Sequence, residues 1–131
     1  MATSIPDEQA ALLAAIVAEP GDDTPRLVYA DWLQKHGDVE QSQFIRDWIS
    51  FDRLDDYEDD QCQKLVKRLN GEAMRNGLRW LEAVGIKCSA AVYDRGMVEG
   101  VIYTNFVDFQ AHAPQLFSRA PVRDLTIGGK D

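Results

Sequence analysis

With 131 residues, 45% of them hydrophobic and 27% charged, the chain has the composition of an ordinary globular protein and the length of one domain, residues 1–131. Its formal net charge of −8 comes from the first 63 residues, which sum to −11 against +3 for the rest, so we exclude nucleic acid as a general partner. Two cysteines are too few for a disulfide scaffold, and the sequence shows neither a basic leader nor an apolar run of about 20 residues, which predicts a cytoplasmic protein without a membrane span.

Three amphipathic helices are predicted in the first half of the chain, over residues 7–18, 25–36 and 39–53. Each repeats apolar residues at helical spacing, which places them on one face. The faces consist of Leu12, Leu13, Ile16 and Val17, then Val28, Tyr29, Trp32 and Leu33, then Phe44, Ile45, Trp48 and Ile49. The short linker between the first two helices predicts an antiparallel hairpin.

The second helix has clear start and stop signals. Thr24 is the predicted N-cap, and Pro25 suits the first helical position because no amide partner is needed there. Gly37 can adopt the left-handed conformation just after the last turn. The limits of this helix are therefore well defined in the sequence.

A dense acidic run at residues 52–60 precedes a fourth predicted helix, residues 58–75. Its buried side consists of Cys62, Leu65, Val66, Leu69 and Ala73. Asn76 and Gly77 form the predicted cap, with one or two further turns before Gly85, and Trp80 is a core residue. The acidic run lacks the ligand spacing of a calcium loop, so we interpret it as a solvated face. The candidates for contact with a basic partner are Asp55, Asp56, Asp59 and Asp60.

After Gly85 the pattern changes from helical to strand-like. Residues 88–93 and 97–103 are rich in small, β-branched and aromatic side chains and flank a turn at residues 94–96, which predicts a β-hairpin with a bulge at Gly100. Thr104 or Asn105 can cap a short helical segment, which Pro114 would restart.

The last segment, residues 122–127, has the apolar spacing of a leucine-rich repeat strand. Val122, Leu125 and Ile127 fit the pattern L-x-x-L-x-L, and no complete repeat follows. We expect this strand to lie beside the strand at 97–103 and to leave an open sheet edge, which is a ready pairing site.

Two groups of motifs resemble a known family. The first group consists of residues 26–33 (Arg-Leu-Val-Tyr-Ala-Asp-Trp-Leu), 36–38 (His-Gly-Asp) and 44–46 (Phe-Ile-Arg), and the second of residues 95–99, 116–117 and 120–125. Together they are similar to the bacterial repeat-companion domain, a small helical domain that often precedes leucine-rich repeats. The resemblance implies no activity, cofactor or catalytic residue. The chain departs from the family's pattern at its end, where many relatives continue into several repeats and only a half-repeat is present here. We therefore expect no peptide-binding horseshoe.

The polar residues of the second helix are assigned structural roles. We expect Asp31 to be a partly buried carboxylate that accepts hydrogen bonds from Arg26 or Arg46 at the helix junction. Asp31 and His36 are five residues apart, a rotation of about 140°, so they do not meet as an acid and a base. Neither histidine lies at a metal-ligand interval, and we expect no metal and no cofactor.

The sequence therefore predicts an α+β fold, with a helical part (residues 1–84) packed on a β-hairpin, a short helix and a terminal strand (residues 85–131). The preferred function is a non-enzymatic protein-interaction module with a protein partner or self-association, in contact through Val122, Leu125 and Ile127 or through the acidic run. One alternative is a structural cap evolved from or for a leucine-rich repeat protein. Another is a small enzyme with a site between the helices and the hairpin that uses Asp31, His36 or Cys62.

Overall fold

The structure, a computed structural model, describes residues 6–52 and 60–128. Within those residues it contains five α-helices and a three-stranded sheet, so the fold is α+β as predicted. The helices are α1 (Asp7–Ala18), α2 (Asp23–Lys35), α3 (Val39–Asp52), α4 (Asp60–Ala83) and α5 (Phe106–Arg119). The strands are β1 (Ala90–Asp94), β2 (Met97–Tyr103) and β3 (Asp124–Ile127).

Helix α1 has the predicted bounds, whereas α2 begins two residues before the predicted start. The prediction that Thr24 caps α2 is wrong. The N-cap is Asp22, whose Oδ1 accepts a hydrogen bond from the Thr24 amide at 2.9 Å. A carboxylate is a stronger acceptor than a hydroxyl and also favours the positive end of the helix dipole. Gly37 has a φ of 91°, which confirms the predicted left-handed residue at the end of the helix.

The buried face of α2 shares only Tyr29 and Leu33 with the predicted one. Val28 and Trp32 are not buried, and Arg26 and Ala30 are buried in their place. Val28 was assigned to the core but is 46% exposed. The buried residues are Arg26, Tyr29, Ala30 and Leu33, which follow a regular i, i+3, i+4, i+7 spacing. The buried stripe of α2 therefore includes the charged residue Arg26, which a search for apolar spacing does not find.

Aromatic side chains join α3, α4 and β1 in the core. The Phe44 ring lies 4.9 Å from the Trp80 ring and 5.6 Å from the Tyr93 ring, measured between centroids. Trp48 and Trp80 are buried as predicted, whereas Trp32 is only half-buried. Such edge-on and tilted pairs add to the stabilisation that burial of apolar area provides.

Helix α4 continues without a break to Ala83, so the predicted cap at Asn76 and Gly77 is wrong. The Tyr93 ring of β1 packs directly on Gly77, where an added Cβ would lie 2.8 Å from Tyr93 Cε1. The Tyr93 hydroxyl also donates a hydrogen bond to the Gly77 carbonyl oxygen at 2.7 Å. Gly77 is therefore a site of close approach between helix and strand and does not end the helix.

The predicted hairpin is present, with a two-residue turn. Arg95 and Gly96 have φ values of 48° and 83°, which is the backbone pattern of a type I′ turn. The turn packs on α3, because a Cβ on Gly96 would lie only 2.6 Å from Ile45 Cα. The Trp48 indole N–H also donates to Asp94 Oδ1 at 3.2 Å.

The predicted bulge is shifted by one residue. Val92 pairs with Gly100, whereas Tyr93 pairs with Val98, which leaves Glu99 as the extra residue of β2. A bulge changes the direction of a side chain relative to the strand, and Glu99 is buried here with 6% exposure.

Helix α5 connects β2 to β3. Asn105 is its N-cap, as one of the two predicted alternatives, and Asn105 Oδ1 accepts from the Asp108 amide at 2.9 Å. Pro114 lies inside the helix and does not restart it. Proline has no N–H, so the Gln110 carbonyl lacks the helical hydrogen bond that residue 114 would otherwise donate. Gln110 and Pro114 are both exposed, so water can solvate that carbonyl. Strand β3 lies beside β2, as predicted, and the two strands are parallel.

The two glycines inside α4 provide a matched test of the close approach of Tyr93. At Gly71 an added Cβ would lie 3.2 Å from Arg75 Nη1, the end of a flexible exposed side chain. We expect Gly71→Ala to raise the free energy of unfolding by about 0.5–1 kcal/mol, through helix propensity alone. We expect Gly77→Ala to lower it by about 1–3 kcal/mol, because Tyr93 must shift. Urea denaturation of both variants measures the difference, and equal effects would contradict the assignment.

Candidate interaction surface

Strand β3 is one edge of the sheet, since the strand order is β1-β2-β3 among the described residues. The other edge strand, β1, packs against α4 as well as β2, whereas the extensive contacts of β3 are with β2. Asp124, Leu125 and Thr126 are exposed, and Leu125 keeps 39% of its surface in solvent. The outer backbone edge of such a strand can pair with an added strand.

The register between β2 and β3 shows which face of the sheet each side chain of β3 lies on. Leu125 pairs with Val101 and Ile127 pairs with Tyr103. Paired residues point to the same face of a sheet, and both partners in β2 are buried against the core. Leu125 and Ile127 therefore form an apolar rim on the core side of the edge.

Val122 was predicted to contact a partner together with Leu125 and Ile127, but it has a different role. It is partly buried and packs against the hydrophobic core before β3 begins. Of the three predicted contact residues, Leu125 and Ile127 thus lie at the edge, and Val122 anchors the chain that leads to it.

Helix α5 carries a strip of partly exposed aromatic rings, one of which contacts Tyr103, the β2 partner of Ile127. Phe109 contacts Phe106 and Phe117 with ring centroids 5.9 and 6.1 Å apart, and it also contacts Tyr103 at 5.6 Å. Phe106 is 54% and Phe117 46% exposed. Exposed aromatic side chains next to a strand edge are typical of protein-binding surfaces.

The start of the edge strand is held by Glu99 of the bulge. The Arg123 amide donates to the Glu99 carbonyl oxygen at 2.7 Å, and Arg123 Nη1 lies 3.4 Å from Glu99 Oε1. The other carboxylate oxygen, Oε2, accepts from Arg26 Nη2 at 2.9 Å. Glu99 therefore connects α2 to the segment from which β3 begins.

Arg26 is fully buried, and its guanidinium is held almost entirely by main-chain oxygens. Nη1 donates to the carbonyls of Asp94 and Arg95 at 3.0 and 3.2 Å, and Nη2 donates to the Pro20 carbonyl at 2.8 Å. Burial lowers the pKa of Arg26 from its ordinary value, an effect that the Glu99 carboxylate opposes. An arginine stays charged after such a shift, so this is a buried ion pair.

Arg26 and Arg46 were the two predicted partners of Asp31, and the prediction of Arg46 is confirmed. Arg46 Nη2 pairs with Asp31 Oδ1, while Arg26 pairs with Glu99 instead. The expectation that Asp31 is partly buried is wrong, because 61% of its side chain is exposed. Arg26 is on the buried stripe, whereas Asp31 lies on the solvent side of α2, so they cannot meet.

The acidic run is placed only in part. Asp55, Asp56 and Asp59 lie outside the described residues. Asp60 is the first residue of α4 and is exposed, where a negative charge favours the helix dipole.

The residues of the enzymatic alternative have separate environments. Asp31 pairs with Arg46, and His36 stacks on Trp32 with ring centroids 4.0 Å apart and its Nδ1 2.8 Å from the Trp32 carbonyl oxygen. Cys62 is 2% exposed. These positions favour structural roles for all three. Among the described residues, no group of three or more His, Cys, Asp or Glu side chains could hold a metal ion.

Comparisons with known proteins identify no relative of the chain. No protein-family model, no curated protein and no solved structure matches it. The resemblance to repeat-companion domains therefore stays a prediction that depends on its motif residues. In the part of the chain that the structure describes, no helix has both the length and the apolar character needed to cross a membrane.

The two arginine–carboxylate pairs of α2 provide a test of the buried network. We expect Arg26→Met to lower the free energy of unfolding by about 3–5 kcal/mol, because Glu99 becomes a buried charge without its partner. Arg46→Met breaks an exposed pair and should cost at most about 1 kcal/mol. Chemical denaturation at neutral pH measures both values. A loss at Arg26 no larger than that at Arg46 would show that the buried pair does not hold the fold together.

Proposed function

We propose that the chain is a non-enzymatic protein-interaction module that binds an extended segment of a partner along the outer edge of β3. The observation that carries the proposal is the exposed edge strand with its apolar rim, Leu125 and Ile127, beside the aromatic strip of α5. Strand addition gives affinity through main-chain hydrogen bonds and specificity through alternate side chains.

Charge indicates what kind of segment fits. The chain carries a net charge of −8, which over long range repels a second copy and attracts a basic partner. That charge lies in residues 1–63, whereas residues 64–131, which include β3, sum to +3. Asp124 at the start of the edge is exposed. Arg123 beside it is exposed as well, so the edge itself selects neither sign of charge. We therefore infer a partner that is basic overall, with a docking segment whose apolar residues at alternate positions face Leu125 and Ile127.

The bacterial cytoplasm is the proposed location. Cys62 and Cys88 do not form a disulfide with each other, as is usual for proteins in a reducing compartment. The motif resemblance to bacterial repeat-companion domains supports the same setting.

A structural cap for leucine-rich repeats is the second candidate, and one observation favours it. Strands β2 and β3 are parallel and joined by α5, so this strand–helix–strand unit has the connectivity with which repeats stack on each other. A cap and a module differ in whether added repeats change its stability.

Fusion of two leucine-rich repeats after Asp131 separates the two candidates. For an interaction module we expect the free energy of unfolding of the parent chain to change by less than about 1 kcal/mol, because a module gains no interface with the added repeats. A cap gains an interface with its neighbour and would be stabilised by several kcal/mol. Denaturation followed by tryptophan fluorescence measures the difference, since the repeats can be chosen without tryptophan.

A charge placed on the edge tests the proposed contact. The full chain is used to capture partners from the source cells, and each direct binder is then measured by calorimetry. We expect Leu125→Lys to weaken binding at least about tenfold, because an edge lysine opposes strand addition and the apolar contact of Leu125 is lost. Val92→Lys is the matched control, since Val92 is 60% exposed on the opposite edge strand β1, and it should bind like the parent chain.

Hydrogen exchange identifies the contact directly. We expect the amides of residues 124–127 to gain protection in the complex, because they enter a new strand ladder. Equal binding by Leu125→Lys and the parent chain would contradict the proposal. So would capture that recovers no specific partner together with a monomeric mass in solution.

A further inference from the structure

The solvent side of α4 carries a concentration of positive charge. Residues 64–79 include five lysine or arginine residues and a single acidic residue, Glu72, a net charge of +4, whereas residues 1–63 sum to −11. Spacings of three, four and seven residues place five exposed side chains on one outward face of the helix. We call it the basic face, and it consists of Lys64, Lys67, Met74, Arg75 and Leu78. The exposed Glu82 follows one turn later and ends the positive stretch.

The cations of the basic face are unpaired, in contrast to those at its flank. Arg68 pairs with Asp47 of α3 at 2.5 Å, and Arg79 pairs with Glu40 of α3 at 3.2 Å. Three other cations of α4 are exposed and form no hydrogen bond or ion pair with a described residue: Lys64, Lys67 and Arg75. The chain contains 22 acidic and 14 basic residues, so carboxylates are in excess, yet the fold brings none of those described to these three charges.

Apolar surface lies beside these cations. Met74 is 88% exposed, more than any other large apolar side chain in the described part of the chain. Leu78, one turn later on the same face, is 45% exposed. A side chain as exposed as Met74 contributes little to folding, and methionine is common on protein-binding surfaces because its flexible thioether adapts to different partners. The basic face therefore offers a partner both charge and apolar area.

This combination indicates the chemistry of the partner. An acidic peptide with an apolar side chain supplies carboxylates to the cations and covers Met74 and Leu78. A nucleic acid or an anionic bilayer is an extended polyanion, which the net charge of −8 repels. Exposed charges more than about 8 Å apart are largely screened at physiological ionic strength, so a short acidic segment on α4 interacts mainly with the local cations.

We propose that the basic face of α4 binds an acidic segment of a second partner protein. Carboxylates of the segment lie at Lys64, Lys67 and Arg75, and an apolar side chain covers Met74 and Leu78. Helix α4 packs on α3 and β1, and its basic face includes no residue of the β3 edge. The proposal is therefore independent of strand addition, and each surface has its own variants.

Titration of the full ¹⁵N-labelled chain at pH 7 with a synthetic peptide of the repeat Glu-Asp-Leu-Glu, followed by two-dimensional NMR, tests the proposal. We expect saturable shifts of the amides of residues 64–78, while those of residues 124–127 stay unchanged. A Gln-Asn-Leu-Gln peptide lacks the charge, and a Glu-Asp-Ser-Glu peptide lacks the apolar side chain. Each should bind at least about threefold more weakly, because one of the two kinds of contact is lost.

A charge reversal on the basic face has a matched control on another helix. We expect Lys67→Glu to weaken binding of the acidic peptide at least about fivefold, because an attractive contact becomes repulsive. Lys35→Glu makes the same change in net charge at an exposed lysine in the last turn of α2, and it should change binding less than about twofold. The difference between the two variants measures the local contact apart from the net charge.

An apolar variant separates binding from folding. We expect Met74→Gln to weaken binding of the acidic peptide at least about threefold, because the apolar contact is lost. Since Met74 is 88% exposed, this variant should melt at the same temperature as the parent chain.

Four results would overturn the proposal. They are no saturable shift with the acidic peptide, equal binding by Lys67→Glu and Lys35→Glu, shifts of residues 64–78 with phosphatidylserine vesicles but not with the peptide, and shifts of the same residues when the chain alone is concentrated. The last result would mean that a second copy occupies the basic face. None of the four bears on strand addition, which is measured with Leu125→Lys and a different partner.

Discussion

The guanidinium of Arg26 has no exposed surface, and the carboxylate of Glu99 is the charge that compensates it at 2.9 Å. Moving two charges out of water costs several kcal/mol for each ion, and only good geometry with further hydrogen bonds offsets that cost. The carbonyls of Pro20, Asp94 and Arg95 provide those bonds. They belong to the loop before α2 and to the hairpin turn, so a single side chain holds the helical part and the sheet in one arrangement.

The bulge of β2 makes this arrangement possible. In a regular strand Val98, Glu99 and Gly100 would alternate between the two faces, and a carboxylate would not be buried between two buried neighbours. Because Glu99 is the unpaired residue of the bulge, its side chain points towards α2. The main-chain carbonyl of Glu99 accepts a hydrogen bond from the Arg123 amide. The same residue therefore neutralises the core arginine and positions the start of β3. Stability of the core and presentation of the edge depend on one carboxylate.

Most features with local causes were predictable from the sequence, apart from the N-cap of α2, which is Asp22 and not Thr24, and the passage of α5 through Pro114. Features with distant causes were not predictable. Gly37, the turn at Gly96 and the cap at Asn105 follow from backbone chemistry within a few residues, and the structure confirms them. Gly77 was interpreted as a helix end because its reason, the Tyr93 ring, lies 16 residues later. Arg26 finds its carboxylate 73 residues away, where no spacing rule applies. The β3 edge follows from an apolar pattern in the sequence, because L-x-x-L-x-L is a local spacing of three residues.

An open strand edge can pair with many other strands. The length of β3 and the charges around it restrict which strands can add to this edge. The strand has only four residues, and the exposed charges of Arg123 and Asp124 lie at its start, which disfavours long, flat strand pairing between copies. The net charge of −8 adds repulsion between identical chains. A short extended segment of a partner that is basic overall meets neither obstacle, because the partner's net charge is opposite to that of the chain and the segment's apolar pattern needs only the Leu125 and Ile127 rim. The features that protect the free chain from self-association are thus the ones that would select its partner.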